Sequence, residues 1–148
     1  METLGSLCDK LTIVKLKQFH STDLGKLKNL EEQEILLKEE IDLFFQGAFS
    51  GSLSTDRLVF LSNKVYKKEG IVIEIKNESI GFTFARLADT NCKLWHEQEK
   101  IYEFEKVALE DKDQVVKNIA ILNLERNQCM DAIDLAFQKM VREFQNRT

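Results

Sequence analysis

The sequence predicts an all-α fold, an antiparallel bundle of four or five helices formed by residues 1–148 as a single domain. Proline is absent from the 148 residues and glycine occurs only six times, which favours long helices joined by few loops. Apolar residues recur at spacings of three and four through most of the chain, as they do along one face of a helix. The charged fraction of 31% suits helices that keep one face in water.

The N-terminal third of the chain predicts two helices. Apolar residues are spaced helically over residues 4–20, and the run Ser-Thr-Asp at 21–23 supplies N-cap candidates. A second helix is therefore expected to begin near Leu24 and to end at Gly47. The small-residue stretch 47–55 is then a connection within the domain.

The middle of the chain is the hardest to interpret. The pattern over residues 56–69 predicts a third helix, with Gly70 after its end. The β-branched residues of 71–84 are compatible with a β-hairpin, but Ser79 is an equally good N-cap for the helix that follows. We favour the helix and keep the hairpin at 71–84 as the alternative.

Two long helices are predicted in the C-terminal half. Residues 80–108 carry a bundle seam at alternating spacings of three and four. The charged run at 110–113 predicts a break, after which a last helix continues to the end of the chain.

Composition excludes several classes of protein. The formal net charge of −4 disfavours a general nucleic-acid binder, which needs a basic face. The cysteines are three in number and far apart, so we interpret them as buried thiols in a reducing compartment. No stretch has the length of an apolar membrane span and the N-terminus lacks the pattern of a signal peptide. We therefore expect a cytoplasmic protein.

Both histidines lie in the same short pattern, in which a lysine, an aromatic residue, a histidine and an acid recur at fixed spacing. In a helix, residues three apart share a face, so each copy would align a cation, an imidazole and a carboxylate. The two rows are Lys17, His20, Asp23 and Lys93, His96, Glu99. One interpretation is two exposed ion-pair rows, and the sharper one is that both copies converge in a cleft or across a dimer interface.

A helical projection places both histidines away from the main apolar stripes, with His20 on the same side as Asp9 and Lys17. A metal site is not favoured, because di-iron bundles use the order Glu-x-x-His and zinc requires more His or Cys than the chain offers. We predict no metal and no cofactor.

Polar residues interrupt two apolar seams. Asn91 and Gln98 interrupt the long helix, and Asn123, Arg126 and Asn127 interrupt the last one. Buried amides either fix helix register or line a pocket, and we favour register. We further predict that Asn91, Trp95, Asn123 and Arg126 meet in one cluster between the last two long helices, with the Arg126 guanidinium stacked on the Trp95 indole.

Carboxylates also pair at helical spacing, which keeps an enzymatic alternative open. All-helical nucleotide pyrophosphohydrolases hold magnesium with comparable acid pairs from neighbouring helices. The alternative function is therefore a metal-dependent hydrolase of a nucleotide or a phosphorylated sugar. The pairs are Glu31/Glu34, Glu39/Asp42, Glu110/Asp113 and Asp131/Asp134.

Three blocks of sequence resemble a bacterial all-helical family of unknown function. They are D-K-L-T-I-V-K-L-K at 9–17, N-C-K-L-W-H-E-Q-E at 91–99 and L-N-L-E-R-N at 122–127, which are similar to the family blocks D-K-[LI]-[ST]-I, N-x-x-L-W-x-x-E and N-x-x-R. Members of that family are loosely associated with gene clusters for cell-surface polysaccharides. The resemblance implies a helical fold and no particular activity, and the matching residues are Asp9, Lys10, Asn91, Trp95, Glu99, Asn123 and Arg126.

The motifs for nucleophilic catalysis and the glycine-rich loops that bind phosphate are both missing. We therefore expect a non-enzymatic protein-interaction or scaffold module, a homo-oligomer or a partner of another protein, although the sequence leaves an enzyme and a small-molecule ligand open. Apolar stripes on both sides of the first helix motivate the oligomer. The candidate binding residues are Asp9, Lys17, His20, Asp23, Asn91, Trp95, His96, Glu99, Asn123 and Arg126.

Overall fold

A computed structural model describes residues 2–61 and 79–147. Every regular element in those two ranges is helical, which confirms the predicted all-α bundle. The described residues form four α-helices: α1 spans Leu4–His20, α2 Leu24–Ser50, α3 Ile80–Tyr102 and α4 Leu109–Asn146. Two single turns of 3-10 helix, Thr55–Arg57 and Phe104–Lys106, lie in the connections.

Local sequence determines where the helices begin. The hydroxyl of Thr3 accepts from the backbone N–H of Ser6 at the start of α1. The carboxylate of Asp23 does the same for the N–H of Lys26 in α2, at 3.0 Å. These are ordinary N-caps, and the predicted bounds of α1 and the predicted start of α2 are confirmed.

The end of α2 differs from the prediction. The helix passes through Gly47 and ends at Ser50, because Ala48 is completely buried and the next turn packs on the core. The left-handed residue that stops the helix is Gly51, with φ of +84°. Glycine adopts that conformation without strain, so Gly51, four residues after the predicted end, stops the helix.

The predicted helix over residues 56–69 is wrong in its described part. Only the short turn Thr55–Arg57 is helical, and the chain is irregular from there to residue 61. Tertiary contacts hold this turn, since Gln138 of α4 donates to the carbonyl of Thr55 at 2.8 Å and Leu58 is fully buried. Residues 62–69 lie outside the described residues.

The alternative hairpin at 71–84 is wrong for its last five residues, which form the first turn of α3. Ser79 is the N-cap, and its hydroxyl accepts from the N–H of Phe82. Residues 71–78 lie outside the described residues.

The break before the last helix also lies earlier than predicted. The connection is at 103–108, and the acidic run at 110–113 lies inside the first turns of α4. Carboxylates in a first helical turn are favoured by the positive end of the helix dipole. The acidic run therefore starts a helix instead of breaking one.

The helices pack mainly in the pairs α1 with α2 and α3 with α4, and α1 also contacts α3 and α4. Gly5 meets Asp134 and Asp9 meets Arg126, so α1 runs antiparallel to α4. The apolar core lies near the N-termini of α1 and α3 and the C-terminal halves of α2 and α4. Its fully or nearly fully buried members are Leu4, Ala48, Leu58, Leu87, Cys129, Ile133, Phe137 and Val141.

The first helix, α1, contacts all three of the other long helices, so its two apolar stripes do not need an oligomer to cover them. Among its large apolar side chains only Phe19 is mostly exposed, so the monomer itself covers both apolar stripes of this helix. Apart from Phe19, the large apolar side chains that stay exposed in the described residues lie outside α1. None of the helices in the described ranges has the length and apolarity needed to cross a membrane.

Candidate functional site

An ion pair between α1 and α4, together with an amide from α3, joins three helices of the bundle. The Arg126 guanidinium of α4 donates to both carboxylate oxygens of Asp9 on α1, with Nε and Nη2 each at 2.9 Å. The side-chain amide of Asn91 on α3 donates to the same Asp9 carboxylate, also at 2.9 Å. Asp9 and Asn91 are each only 3% exposed. We call Asp9, Asn91 and Arg126 the polar triad.

The polar triad can fix the position of α1 relative to α3 and α4. Bidentate pairing of a guanidinium with a carboxylate fixes both position and orientation. A buried carboxylate without these donors would be strongly unfavourable, so the triad favours one register of α1 against α3 and α4. The amide of Asn91 thus has the position that the register interpretation requires, whereas Gln98 is exposed.

The predicted four-residue cluster forms only in part. Asn91 and Arg126 do come together, but through Asp9, which the prediction had placed on the outer side of α1. The indole N–H of Trp95 donates to Glu99, and the backbone carbonyl of Asn123 accepts from Asn127. The Arg126 guanidinium donates to Asp9, and the ring that stacks on the Trp95 indole is the His20 imidazole, so the structure does not show the predicted guanidinium stack.

The two copies of the histidine pattern meet in space. The imidazole of His20, the last residue of α1, stacks on the indole of Trp95 in α3, with ring centroids 4.7 Å apart and planes 11° apart. The contact therefore joins the histidine of the first copy to the aromatic residue of the second. His96 itself is exposed on the outer side of α3.

The rows expected within each copy form only partly. Asp23 cannot align with Lys17 and His20, because α1 ends at His20 and Asp23 is the N-cap of α2. In the second copy His96 Nδ1 lies 3.8 Å from the Glu99 carboxylate. Lys93 instead pairs with Asp89 at 3.0 Å.

An open cavity of about 530 Å³ lies beside the His20–Trp95 stack. The last turn of α1, the first turns of α2 and one turn of α3 form its walls. Lys17, His20, Ser21, Gly25, Lys26, Asn29, Leu30 and Trp95 line it. We call it the His20–Trp95 cavity.

Two of the carboxylates that would bind magnesium in the hydrolase alternative, Glu34 and Asp134, accept hydrogen bonds from other residues of the chain. Glu34 accepts from Lys15, Gln18 and Lys38, and these bonds, that to Lys38 first, lower the pKa of its carboxyl to about 2. Asp134 accepts from the N–H of Gly5 at 2.7 Å. In residues 2–61 and 79–147, His, Cys, Asp and Glu side chains nowhere form a group of three able to hold a metal ion.

Two of the three cysteines are poor nucleophiles. Burial raises the pKa of the Cys8 thiol to about 12 and that of the Cys129 thiol to about 11. Both thiols therefore stay protonated at neutral pH, whereas the thiolate is the reactive form. All three cysteines are free, with Cys92 exposed on α3.

A second surface feature lies at the other end of α2. Phe49 packs edge-on against Phe144 of α4 at 5.2 Å and nearly parallel to Phe45 at 6.5 Å. Both Phe45 and Phe49 also contact the ring of Phe137, which is 1% exposed. With Met140 on the same side of α4, these rings form an aromatic patch, defined here as Phe45, Phe49, Met140 and Phe144.

Comparison with known protein families, with curated protein sequences and with solved structures finds no match to this chain.

Proposed function

We propose that this protein is a non-enzymatic helical module that acts through contacts with protein chains, and that a second copy of itself is its partner. The observation that carries the proposal is the aromatic patch. Its four side chains are between 37% and 49% exposed, although they are continuous with the core through Phe137. A patch of large apolar side chains at a surface is typical of an interface.

The composition of the patch favours protein as the occupant. Phenylalanine and methionine are enriched in the buried centres of protein interfaces, where they contribute apolar area. Edge-to-face ring pairs already occur inside the patch, and two copies related by a two-fold axis would present the same rings to each other. The patch thus suits an isologous dimer.

The polar triad supports a non-enzymatic role. Asp9, Asn91 and Arg126 match the blocks shared with the resembled family, and in this chain their polar atoms bond to one another. A carboxylate that already accepts three hydrogen bonds is occupied in holding the helices together. Those residues therefore contribute to the scaffold.

We further propose a cytoplasmic setting, which the three free cysteines support, and a bacterial source, which follows from the family resemblance alone. The hydrolase alternative stays a prediction. Release of phosphate or pyrophosphate in the presence of magnesium is the measurement that would support it.

Light scattering over concentrations from the micromolar range upward tests the proposal. The wild-type chain is expected to dimerise, and Phe144→Ser in the aromatic patch is expected to shift the equilibrium toward monomer. Phe19→Ser is the matched control, because Phe19 is 84% exposed and lies at the far end of α1. Circular dichroism checks that both variants remain folded.

A wild-type monomer at every concentration would overturn the proposed self-association. So would a dimer that Phe19→Ser weakens as much as Phe144→Ser, because the contact would then lie elsewhere.

A further inference from the structure

The walls of the His20–Trp95 cavity carry positive charge. Two of the eight residues that line it are lysines, Lys17 and Lys26, and none is an acid. The whole chain has more acids than bases, with 25 Asp and Glu against 21 Lys and Arg. The cavity is therefore a local reversal of the overall charge, and a cleft lined with one sign of charge attracts ligands of the opposite sign.

The two lysines keep their charges available. Neither Lys17 nor Lys26 forms an ion pair with a described residue, and both are exposed. The nearby Lys15 and Lys38, in contrast, both bond to Glu34. A lysine that pairs with none of the described residues can bind an anion without first losing a partner among them.

The rest of the wall offers an apolar surface next to hydrogen-bond donors. Leu30, which is 8% exposed, and Trp95 supply the apolar part of the lining. The imidazole of His20 is held in place by its stacking on Trp95, with Phe19 edge-on at 5.2 Å. Ser21 and Asn29 add a hydroxyl and an amide to the same wall. The site is therefore amphipathic.

We propose that the His20–Trp95 cavity binds a small organic phosphate monoester, with the phosphate between Lys17 and Lys26 and the organic part against Leu30 and Trp95. A phosphate monoester near neutral pH carries close to two negative charges and three acceptor oxygens. Two lysine ammoniums match that charge, and the side chains of His20, Ser21 and Asn29 supply further donors. The volume of about 530 Å³ lies within the usual range for small-molecule sites.

This site is separate from the aromatic patch. Lys26 and Phe45 are nineteen residues apart on α2, or about 29 Å along the helix at 1.5 Å per residue. The failure of either proposal therefore leaves the other untouched.

The chain contains a single tryptophan, Trp95, so intrinsic fluorescence reports on this cavity directly. The experiment is a titration at constant ionic strength with glucose 6-phosphate, adenosine monophosphate, inorganic phosphate and glucose. At least one of the two monoesters is expected to change the emission saturably and at lower concentration than inorganic phosphate. Glucose is expected to have no effect, because it lacks the anionic group.

Charge variants locate the binding. Lys17→Gln and Lys26→Gln are each expected to weaken binding roughly tenfold, as the loss of one charge-assisted hydrogen bond implies. The control is Lys28→Gln with Lys139→Gln, which removes two exposed charges that do not line the cavity. Binding by the control is expected to stay within about twofold of wild type.

Three results would overturn the proposal. The first is no saturable response, and no heat by calorimetry, with either monoester at millimolar concentration. The second is equal affinity for inorganic phosphate and both monoesters, because the organic part would then make no contact. The third is equal weakening by the cavity and control variants, which would indicate only a general effect of charge.

Discussion

The imidazole of His20 lies flat against the indole of Trp95, with 4.7 Å between the ring centroids. These residues are 75 positions apart in sequence, and their contact joins the end of α1 to the middle of α3. It also forms one wall of the cavity to which we assign the anion site. The effect of this contact on the Trp95 fluorescence and on the free energy of unfolding can therefore be measured without any ligand.

Replacement of His20 by alanine is expected to expose one face of the indole. The emission maximum of Trp95 should move to longer wavelength, and the free energy of unfolding should fall by about 0.5–1.5 kcal/mol, the usual contribution of a ring pair. His96→Ala is the control, because His96 is the next residue after Trp95 and is exposed. Equal spectra for the two variants would show that the stack does not form in solution.

The polar triad predicts a large loss of stability when its carboxylate is removed. Asp9→Asn leaves the Arg126 guanidinium without its bidentate partner, and breaking a buried ion pair costs about 3–5 kcal/mol. Because the Arg126 side chain is 30% exposed, we expect a smaller value of about 2–3 kcal/mol. Urea denaturation measures this change.

A surface pair provides the comparison for the triad. Lys106→Gln removes the partner of Glu103, in a pair whose side chains are 69% and 62% exposed, and should cost at most about 1 kcal/mol. A double-mutant cycle with Asp9→Asn and Arg126→Gln should give a coupling of about 1 kcal/mol or more. Additive effects of the two substitutions would contradict a direct pair.

Gly5 allows the close approach of α1 to α4. A Cβ atom there would lie 2.5 Å from the carbonyl oxygen of Met130, which is closer than atoms can pack. Gly5→Ala is therefore expected to lower the free energy of unfolding by about 1–3 kcal/mol. Gly81→Ala is the matched control, since no described residue beyond its own stretch of helix comes within 4 Å of a Cβ there and alanine is the better helix former. The prediction is wrong if both variants melt at or above the wild-type temperature.

Asp134 predicts a pH dependence of stability. Burial raises the pKa of its carboxyl from 3.8 to about 6, against the opposing hydrogen bonds from Gly5 and Thr3. The folded state thus binds a proton more tightly than the unfolded state, and linkage requires stability to fall as pH rises from about 4 to about 6. A shift of about two pKa units corresponds to roughly 3 kcal/mol.

Asp134→Asn removes this titration and keeps an acceptor for the N–H of Gly5. The difference in unfolding free energy between variant and wild type should therefore change over the pH 4–6 window and level off above it. Asp113→Asn, an exposed position on α4, should follow the wild-type profile. Parallel profiles for Asp134→Asn and wild type would show that this carboxyl has an ordinary pKa in the folded protein.

Local sequence was sufficient to predict α1 and the starts of α2 and α3. The caps Thr3, Asp23 and Ser79 each bond to a backbone N–H within three residues, so a short stretch of chain contains the whole interaction. The elements that were predicted wrongly depend on distant partners. Thr55, for example, is held by Gln138, 83 residues away.

The sequence pointed to two residues of the polar triad, because Asn91 and Arg126 interrupt apolar stripes and a polar residue there requires a partner. It pointed to Asp9 only through the block that resembles a helical family, since the helical projection placed Asp9 away from the apolar stripe of α1. It did not reveal that Asp9 is the common acceptor, since that depends on how α1 lies against α3 and α4. His20 and Trp95 belong to the two copies of one sequence pattern, which the sequence shows. That the two side chains stack on each other also depends on how α1 lies against α3. Helix formation is decided by neighbours in the chain, whereas the pairing of helix faces is decided by close packing among residues far apart in sequence, and only the tertiary structure determines it.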